Sequence, residues 1–251
     1  MMDFLQELYN IDKNIKYLGN LELLSRKRVA IVGSRKPTQY ASHYTYSIAK
    51  ELARVGVCVV SGGAMGVDAI AHSGAGAANT IAVMPCGIDL RYPAINRALL
   101  DEIAANGLMI SQFEDGFKAT NWSFVVRNRV VIALSDVVII TQADLKSGSM
   151  VSAEIAKELG KEIFVLPHII GESEGTNSLL ESGEAKGIYN IPSFIERFGV
   201  APSGVDSSDE FLLFCATRPS YEDVFARFSD RLFEAELSGI IEIKDGRVSL
   251  V

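Results

Sequence analysis

The chain has 251 residues, 48% of them hydrophobic, and its 31 acidic and 24 basic side chains give a formal net charge of −7. This length and apolar content predict one large buried core and a small second one. The net charge argues against a protein that coats duplex DNA non-specifically, but it is compatible with a local basic groove. The acid excess lies mainly in residues 201–251, which hold 10 acidic and 5 basic side chains.

Neither a membrane span nor a secretion signal is expected. The longest apolar runs are only strand length, and the first ten residues, MMDFLQELYN, carry acidic side chains and lack a continuous apolar run. We therefore expect a cytosolic location. The cysteines Cys58, Cys86 and Cys215 are widely spaced among apolar neighbours, which favours reduced core thiols over disulfides. The three histidines are too scattered to predict a metal site.

Up to residue 200 the chain alternates strand-like and helix-like runs, a pattern typical of a doubly wound α/β sheet. We expect residues 1–25 to form a short N-terminal extension and residues 26–200 to form a Rossmann-like domain. The candidate strands are Arg28–Val32, Val57–Val60, Thr80–Met84, Leu108–Ser111, Asp136–Thr141 and Ile163–Leu166. Helix-like runs follow the first, second and fifth of these strands, at Tyr40–Val55, Val67–Ala71 and Val151–Leu159.

Three of the strands end in turns that are rich in glycine and serine. The first turn is residues 33–37 (GSRKP), the second is residues 61–66 (SGGAMG) and the third is residues 143–150 (ADLKSGSM). Because the carboxyl ends of parallel strands lie along one edge of a sheet, the three turns can share one crevice. Neither of the first two turns fits the dinucleotide fingerprint or the P-loop, and the sequence predicts no cofactor.

The third turn has the features of an anion site. Backbone N–H groups of Ser147 to Met150 can point at one phosphate at the start of a helix, and Lys146 adds a full positive charge. The alternative is an ordinary turn, in which Gly148 only supplies a backbone angle and Ser149 only caps the helix. The first and second turns on the same edge favour a row of phosphates.

Five ordered motifs carry a resemblance to a known family. They are VAIVGSR at Val29–Arg35, SGGAMGVD at Ser61–Asp68, RNRVVIALS at Arg127–Ser135, SGSMVSA at Ser147–Ala153 and GTNSLL at Gly175–Leu180. In this order they resemble the DNA-processing protein A (DprA/Smf) family, and the resemblance extends over residues 15–199. It implies an extended Rossmann fold and a homodimer without enzymatic activity. It further implies a protein that binds single-stranded DNA, protects incoming DNA and helps load the RecA recombinase during natural transformation.

The expected DNA contacts come from the three turns and from nearby arginines. They are Ser34, Arg35, Lys36, Gly62, Gly63, Arg97, Arg127, Arg129, Lys146, Ser147, Gly148 and Ser149. Ser34 and Arg35 follow the first strand and match the basic DNA-binding pocket of the family. Arg97 follows the third strand and can extend the track of cations. Trp122 and Phe124 can stack on bases, or they can pack against the protein.

Two arginines, Arg127 and Arg129, lie within one turn of a helix-like run. Both can clamp phosphates through bidentate hydrogen bonds. Alternatively, one of them pairs with a buried carboxylate such as Asp68 or Asp136 and holds loops together. The sequence does not decide between these two roles.

An enzyme is the alternative function. A family of nucleotide phosphoribohydrolases has a similar Rossmann-like core and a P-G-G-x-G-T-x-x-E turn, which binds a nucleotide phosphate and supplies a catalytic glutamate. When its second glycine is aligned with Gly148, Glu154 takes the place of that glutamate. The proline, the other two glycines and the threonine of the signature are replaced in this chain, which weakens the alternative.

A stretch without periodicity, Val200 to Ser208, is expected to be a linker. After it come helix-like runs at Asp209–Ala216, Tyr221–Phe228 and Arg231–Leu237. Two strand-like runs, Ile240–Ile243 and Arg247–Val251, then flank the turn Lys244-Asp245-Gly246. Residues 209–251 therefore resemble a small winged-helix domain. Its net acidity favours a protein contact or self-association over DNA binding, and a purely stabilising appendage is the other interpretation.

Overall fold

The computed structural model describes residues 2–199, 209–216, 219–244 and 246–250. The chain folds as two compact units, Met1–Ala201 and Pro202–Val251. The expected linker, Val200 to Ser208, lies outside the described residues. Within the described residues, no helix is long and apolar enough to cross a membrane.

A sheet of eight strands, counted within the described residues, forms the centre of the first unit, in the order β1-β5-β4-β3-β2-β6-β7-β8. The strands are β1 Lys16–Gly19, β2 Arg28–Val32, β3 Cys58–Ser61, β4 Thr80–Met84, β5 Leu108–Ser111, β6 Val137–Ile140, β7 Glu162–Val165 and β8 Lys186–Gly187. In this order across the sheet, all neighbouring strands from β5 through β2 to β8 are parallel, and β1 is antiparallel to β5. The predicted doubly wound, mostly parallel α/β sheet is confirmed.

The helices of the first unit cover both faces of this sheet. They are α1 Met2–Ile11, α2 Gln39–Arg54, α3 Val67–Ala75, α4 Arg97–Asn106, α5 Asn121–Ala133, α6 Gly148–Glu158, α7 Glu174–Glu181 and α8 Ile191–Ile195. Successive side chains of β2 point to opposite faces. Val29 and Ile31 join a core with α2 and α3, whereas Ala30 and Val32 join a second core with α5 and α6. Burial of each large apolar side chain stabilises the fold by about 1.5–3 kcal/mol.

The N-terminal segment contributes to the sheet. Within residues 1–25, β1 pairs with β5 in a register that joins Lys16 to Ser111 and Gly19 to Leu108. The segment expected as an extension therefore supplies an edge strand. Its strand was not predicted, because Tyr17 and Leu18 are exposed and the run has no apolar alternation.

The order of the strands creates a switch point between β2 and β6. From β2 the chain adds β3, β4 and β5 outward on one side, and it then returns to place β6 on the other side of β2. Helices that leave the carboxyl ends of two such strands diverge to opposite faces and leave a crevice, where open α/β sheets bind their ligands. The first turn follows β2 and the third turn follows β6, so both border this crevice.

The second unit contains two helices and one hairpin within its described residues. These are α9 Glu210–Ala216, α10 Tyr221–Leu237, β9 Ile241–Lys244 and β10 Arg247–Leu250, with the two strands antiparallel. The two predicted helices at 221–228 and 231–237 are both present, as two helical stretches of α10 that are separated by a kink at Phe228 (φ −142°, ψ 38°). Phe211, Val224 and Val248 belong to the core of this unit. Asp245 of the predicted turn lies outside the described residues.

Candidate nucleic-acid interface

A cleft with a volume of about 480 Å³ opens at the switch point. Residues from all three turns line it, together with one face of α5. The lining residues that matter most here are Ser34, Arg35, Ala64, Phe124, Arg127, Ser147, Gly148 and Ser149. The expectation that the three turns share one crevice is therefore confirmed.

The first turn presents a cation on a rigid backbone. The N–H of Ser34 donates to the carbonyl oxygen of Gln142 (2.9 Å), and the Ser34 carbonyl accepts from the N–H of Val67 (3.1 Å). The Ser34 hydroxyl accepts from the N–H of Lys36 (3.1 Å). Arg35 is exposed, and its guanidinium carbon lies 5.0 Å from the centre of the Phe124 ring. An exposed guanidinium on a fixed backbone is well suited to hold a phosphate.

The third turn presents the amino end of a helix to the cleft. Ser147 is the N-cap of α6, and its side chain accepts from the N–H of Met150 (3.4 Å). The N–H groups of the next residues, Gly148 and Ser149, are in the first helical turn, where no intrahelical acceptor exists, and the helix dipole adds partial positive charge. Lys146 immediately precedes this cap and is exposed. Asp144, however, also lines the cleft and is exposed, so its carboxylate opposes a bound anion.

The second turn uses its polar groups internally. The N–H groups of Gly62 and Ala64 both donate to Oδ2 of Asp68, at 3.2 and 3.3 Å. The same oxygen lies 3.5 Å from Nη1 of Arg127, and both side chains are over nine-tenths buried. Gly63 has a φ of +66°, which favours glycine, and its carbonyl accepts from the Asn96 amide (3.0 Å).

Burial raises the pKa of Asp68, and the Arg127 guanidinium opposes this shift. Burial lowers the pKa of Arg127, but a guanidinium starts so far above neutral that it stays protonated. Of the two roles that the sequence left open for Arg127, the structure contains the ion pair with Asp68, and the phosphate contact stays a prediction.

Other expected contact residues lie apart from the cleft. Arg97 on α4 is exposed and 3.7 Å from Asp101, and Arg129 on α5 pairs with Glu158 at 3.1 Å. Both lie outside the set of described residues that line the cleft. Their residue type suggested a phosphate role, but their place in a helix decides which way they face.

The two candidate aromatic side chains differ in position. Trp122 packs edge-on against Phe113 and Phe117, with ring centres 5.6 Å apart in both cases. Phe124 lines the cleft and lies 5.9 Å from Tyr92, between centres. Phe124 is therefore the aromatic side chain that can meet a ligand of the cleft.

The face of α5 supplies cleft residues that the sequence analysis missed. Asn121, Val125 and Asn128 line the cleft beside Phe124. Phe124 and Val125 lie three and four residues after Asn121, and four and three residues before Asn128, which places all four on one side of the helix. This periodicity is the signal that would have found them.

Glu154, on which the alternative function as an enzyme depends, does not line the cleft. Glu154 is exposed on α6, pairs with Lys157 at 2.8 Å and lies outside the described residues that line the cleft.

Comparisons with known proteins match the first unit. The sequence profile described as DNA recombination-mediator protein A matches residues 3–199. The protein Smf of Synechocystis sp. is 37% identical over 194 residues, which are 74% of this chain and 48% of that relative. The DNA processing protein DprA of Streptococcus pneumoniae is 35% identical over 183 residues, 71% of this chain and 64% of the relative. The chain thus spans about half to two thirds of the length of these curated relatives.

Solved structures of such proteins have the same fold. DNA processing protein A from Helicobacter pylori, whose structure is described for its single-stranded DNA binding mode, is 50% identical with a TM-score of 0.72. The match covers 73% of this chain and 85% of that one. The DprA structure from Streptococcus pneumoniae is 32% identical with a TM-score of 0.68, over 74% of this chain and 66% of that one.

Proposed function

Because the chain belongs to the DNA recombination-mediator protein A (DprA/Smf) family, we propose that it binds single-stranded DNA in the cleft at the switch point. In this proposal it protects incoming DNA and helps load the RecA recombinase during natural transformation, without catalysing a reaction itself. One observation carries the proposal, namely that an exposed arginine and the amino end of a helix face the same cleft. Both features are suited to phosphate.

The first turn and the amino end of α6 bind phosphate through different kinds of groups. Arg35 supplies a full charge that is hydrated before binding and releases counterions from the DNA when it binds. The N–H groups of Gly148 and Ser149 supply fixed donors that need no rearrangement. Lys146 and Lys36 are exposed next to these groups and attract the neighbouring phosphates of the same strand.

The shape of the cleft favours a single strand over a duplex. A cavity of about 480 Å³ holds roughly one nucleotide, and a flexible strand can bend one phosphate into it. The stacked backbone of a duplex cannot bend in this way at small cost. Phe124 offers an apolar ring beside Arg35, on which an unpaired base can stack. The net charge of −7 further opposes contact with the broad phosphate surface of a duplex.

The proposed partners follow from the family. A homodimer would place two clefts on one strand, and the second cleft would then bind at a high effective concentration. RecA would receive the strand from this complex, which places the proposed activity in the cytosol.

The experiment is a titration of single-stranded DNA at several salt concentrations with Arg35→Ala and Lys146→Ala variants. Lys50→Ala is the control, because Lys50 is an exposed cation in the last turns of α2 and carries the same charge. Arg35→Ala in the cleft and Lys146→Ala beside it should each weaken binding and reduce the slope of log K against log salt by about 0.7, the loss of one phosphate contact. If both variants behave like Lys50→Ala, the cleft is not the DNA site.

A further inference from the structure

The ion pair of Asp68 and Arg127 lies in the wall of the cleft, and its burial distinguishes it from the exposed cations. The Arg127 side chain is 5% exposed and that of Asp68 is 8% exposed. We propose that Arg127 is a positioning residue for DNA binding, acting through Asp68 and the second turn on the backbone of Ser34 and Arg35. The proposal rests on the proposed function, because it explains how the phosphate-binding turn is held in place.

The first link joins Arg127 to the second turn. Oδ2 of Asp68 accepts from the N–H groups of Gly62 and Ala64 and lies beside the Arg127 guanidinium. A Cβ added at Gly62 would lie 0.8 Å from Nη1 of Arg127, so the guanidinium occupies the space that any larger residue would need. The ion pair thus holds the backbone of the second turn in place and requires glycine at position 62.

The second link joins the second turn to the first. A Cβ added at Gly66 would lie 2.4 Å from the carbonyl oxygen of Ser34 and 2.6 Å from the carbonyl carbon of Arg35. At the next residue, the N–H of Val67 donates to the Ser34 carbonyl at 3.1 Å. A Cβ at Gly33 would lie 2.7 Å from Cγ2 of Val67. The two turns are therefore packed backbone to backbone, and a shift of the second must move Ser34 and Arg35.

The charge of the pair has a measurable consequence. Asp68 neutralises Arg127 locally, and both side chains are over nine-tenths buried. A buried, paired guanidinium that only positions the turn adds nothing to counterion release when DNA binds. A guanidinium that contacts a phosphate directly would add to it. Affinity and salt dependence are thus separable readouts for this residue.

The test uses the full chain with Asp68→Asn and Arg127→Met combined. Removal of one partner alone would leave an uncompensated buried charge, whereas replacement of both groups by neutral ones of similar size avoids it. Single-stranded oligothymidylate is titrated by fluorescence anisotropy at several salt concentrations, and circular dichroism monitors folding. We expect affinity to fall at least about five-fold, because Arg35 loses the hydrogen-bond geometry of its phosphate contact. The salt slope should stay within about 0.2 of that of the unaltered protein, because the charge of Arg35 stays beside the phosphate.

A third variant shows whether the effect acts through Arg35. When Arg35→Ala is added to the double variant, it should weaken binding by a smaller factor than it does in the unaltered protein, because the displaced Arg35 keeps its charge near the phosphate but has already lost its hydrogen-bond geometry. A salt slope that falls by about 0.7 in the double variant would assign Arg127 a direct phosphate contact and overturn the positioning role. Unchanged affinity, or fully independent effects of the two changes, would also overturn it.

Failure of this proposal can be told apart from failure of the proposed function. If Arg35→Ala alone changes neither affinity nor salt slope, the cleft is not the DNA site and the proposed function fails. If Arg35→Ala acts as expected and the double variant does not, only the positioning role fails. A double variant that does not fold is replaced by Arg127→Lys, which keeps the positive charge beside Asp68 but removes the planar guanidinium, and which should also lower affinity at constant salt slope.

Discussion

The substitution Gly62→Ala places one methyl group against the buried guanidinium of Arg127. The new Cβ would lie 0.8 Å from Nη1 and 2.1 Å from Cζ, so the guanidinium must leave its place beside Asp68. Disruption of a buried ion pair that leaves one charge without its partner costs about 3–5 kcal/mol. For a unit of this size, 1 kcal/mol corresponds to about 2–4 °C in the melting temperature. The expected drop is therefore about 6–20 °C.

Differential scanning calorimetry measures this drop, and Gly148→Ala is the matched control. Gly148 lines the same cleft, and a Cβ there would meet no heavy atom of the described residues within 4 Å. Alanine is a better helix former than glycine, so the control should melt at the same temperature or slightly higher. A melting temperature of Gly62→Ala within about 2 °C of the unaltered protein would refute the account of the buried pair.

Three further predictions concern the charge of the cleft, a buried histidine and the second unit. Asp144→Asn removes an exposed carboxylate from the cleft and should tighten single-stranded DNA binding two- to ten-fold at low salt in a titration; unchanged or weaker binding would show that Asp144 does not face the DNA. Burial lowers the pKa of His72 from 6.5 to about 3. Between these pH values the unfolded chain binds one more proton than the folded chain, so the free energy of unfolding should fall by about 1.4 kcal/mol for each pH unit below 6.5. Urea unfolding should show a shallower pH dependence for His72→Gln, and equal dependences would contradict the assignment. A chain that ends at residue 201 should keep its affinity for single-stranded DNA within a few-fold at matched salt, because the proposed contacts lie in the first unit; if most of the affinity is lost from a folded protein with an unchanged oligomeric state, the second unit binds DNA.

The central strands could be predicted from the sequence, whereas the edge strands could not. β2, β4 and β5 match their predicted bounds because both of their faces are buried, so that each reads as a continuous apolar run. β1 has a largely exposed face, and β8 is two residues long. Neither leaves a pattern that local sequence can reveal, because their place depends on pairing with β5 and β7.

The sequence predicted which turns line the cleft, but it did not decide the roles of Arg127 and Arg129. The Gly/Ser turns after β2, β3 and β6 identified the edge, because that inference needs only strand direction. The sequence indicated Asp68 and Asp136 as possible partners of an arginine in this run, and the choice of Asp68 for Arg127 required the sheet order, which brings the start of α3 next to α5. The separation of Arg129 from the cleft required the rotation of α5 about its own axis. Residue type alone does not contain either fact.

The most direct test of the central claim is a competition experiment with the full chain. Labelled single-stranded DNA is bound to the protein, and unlabelled single-stranded DNA, duplex DNA and RNA of equal length compete with it at two salt concentrations. We expect single-stranded DNA to compete at least about ten-fold better than duplex DNA, and we expect the binding of single-stranded DNA to weaken as salt rises. Equal competition by the duplex, or binding that does not respond to salt, would contradict the claim that this cleft holds the phosphates of a single strand.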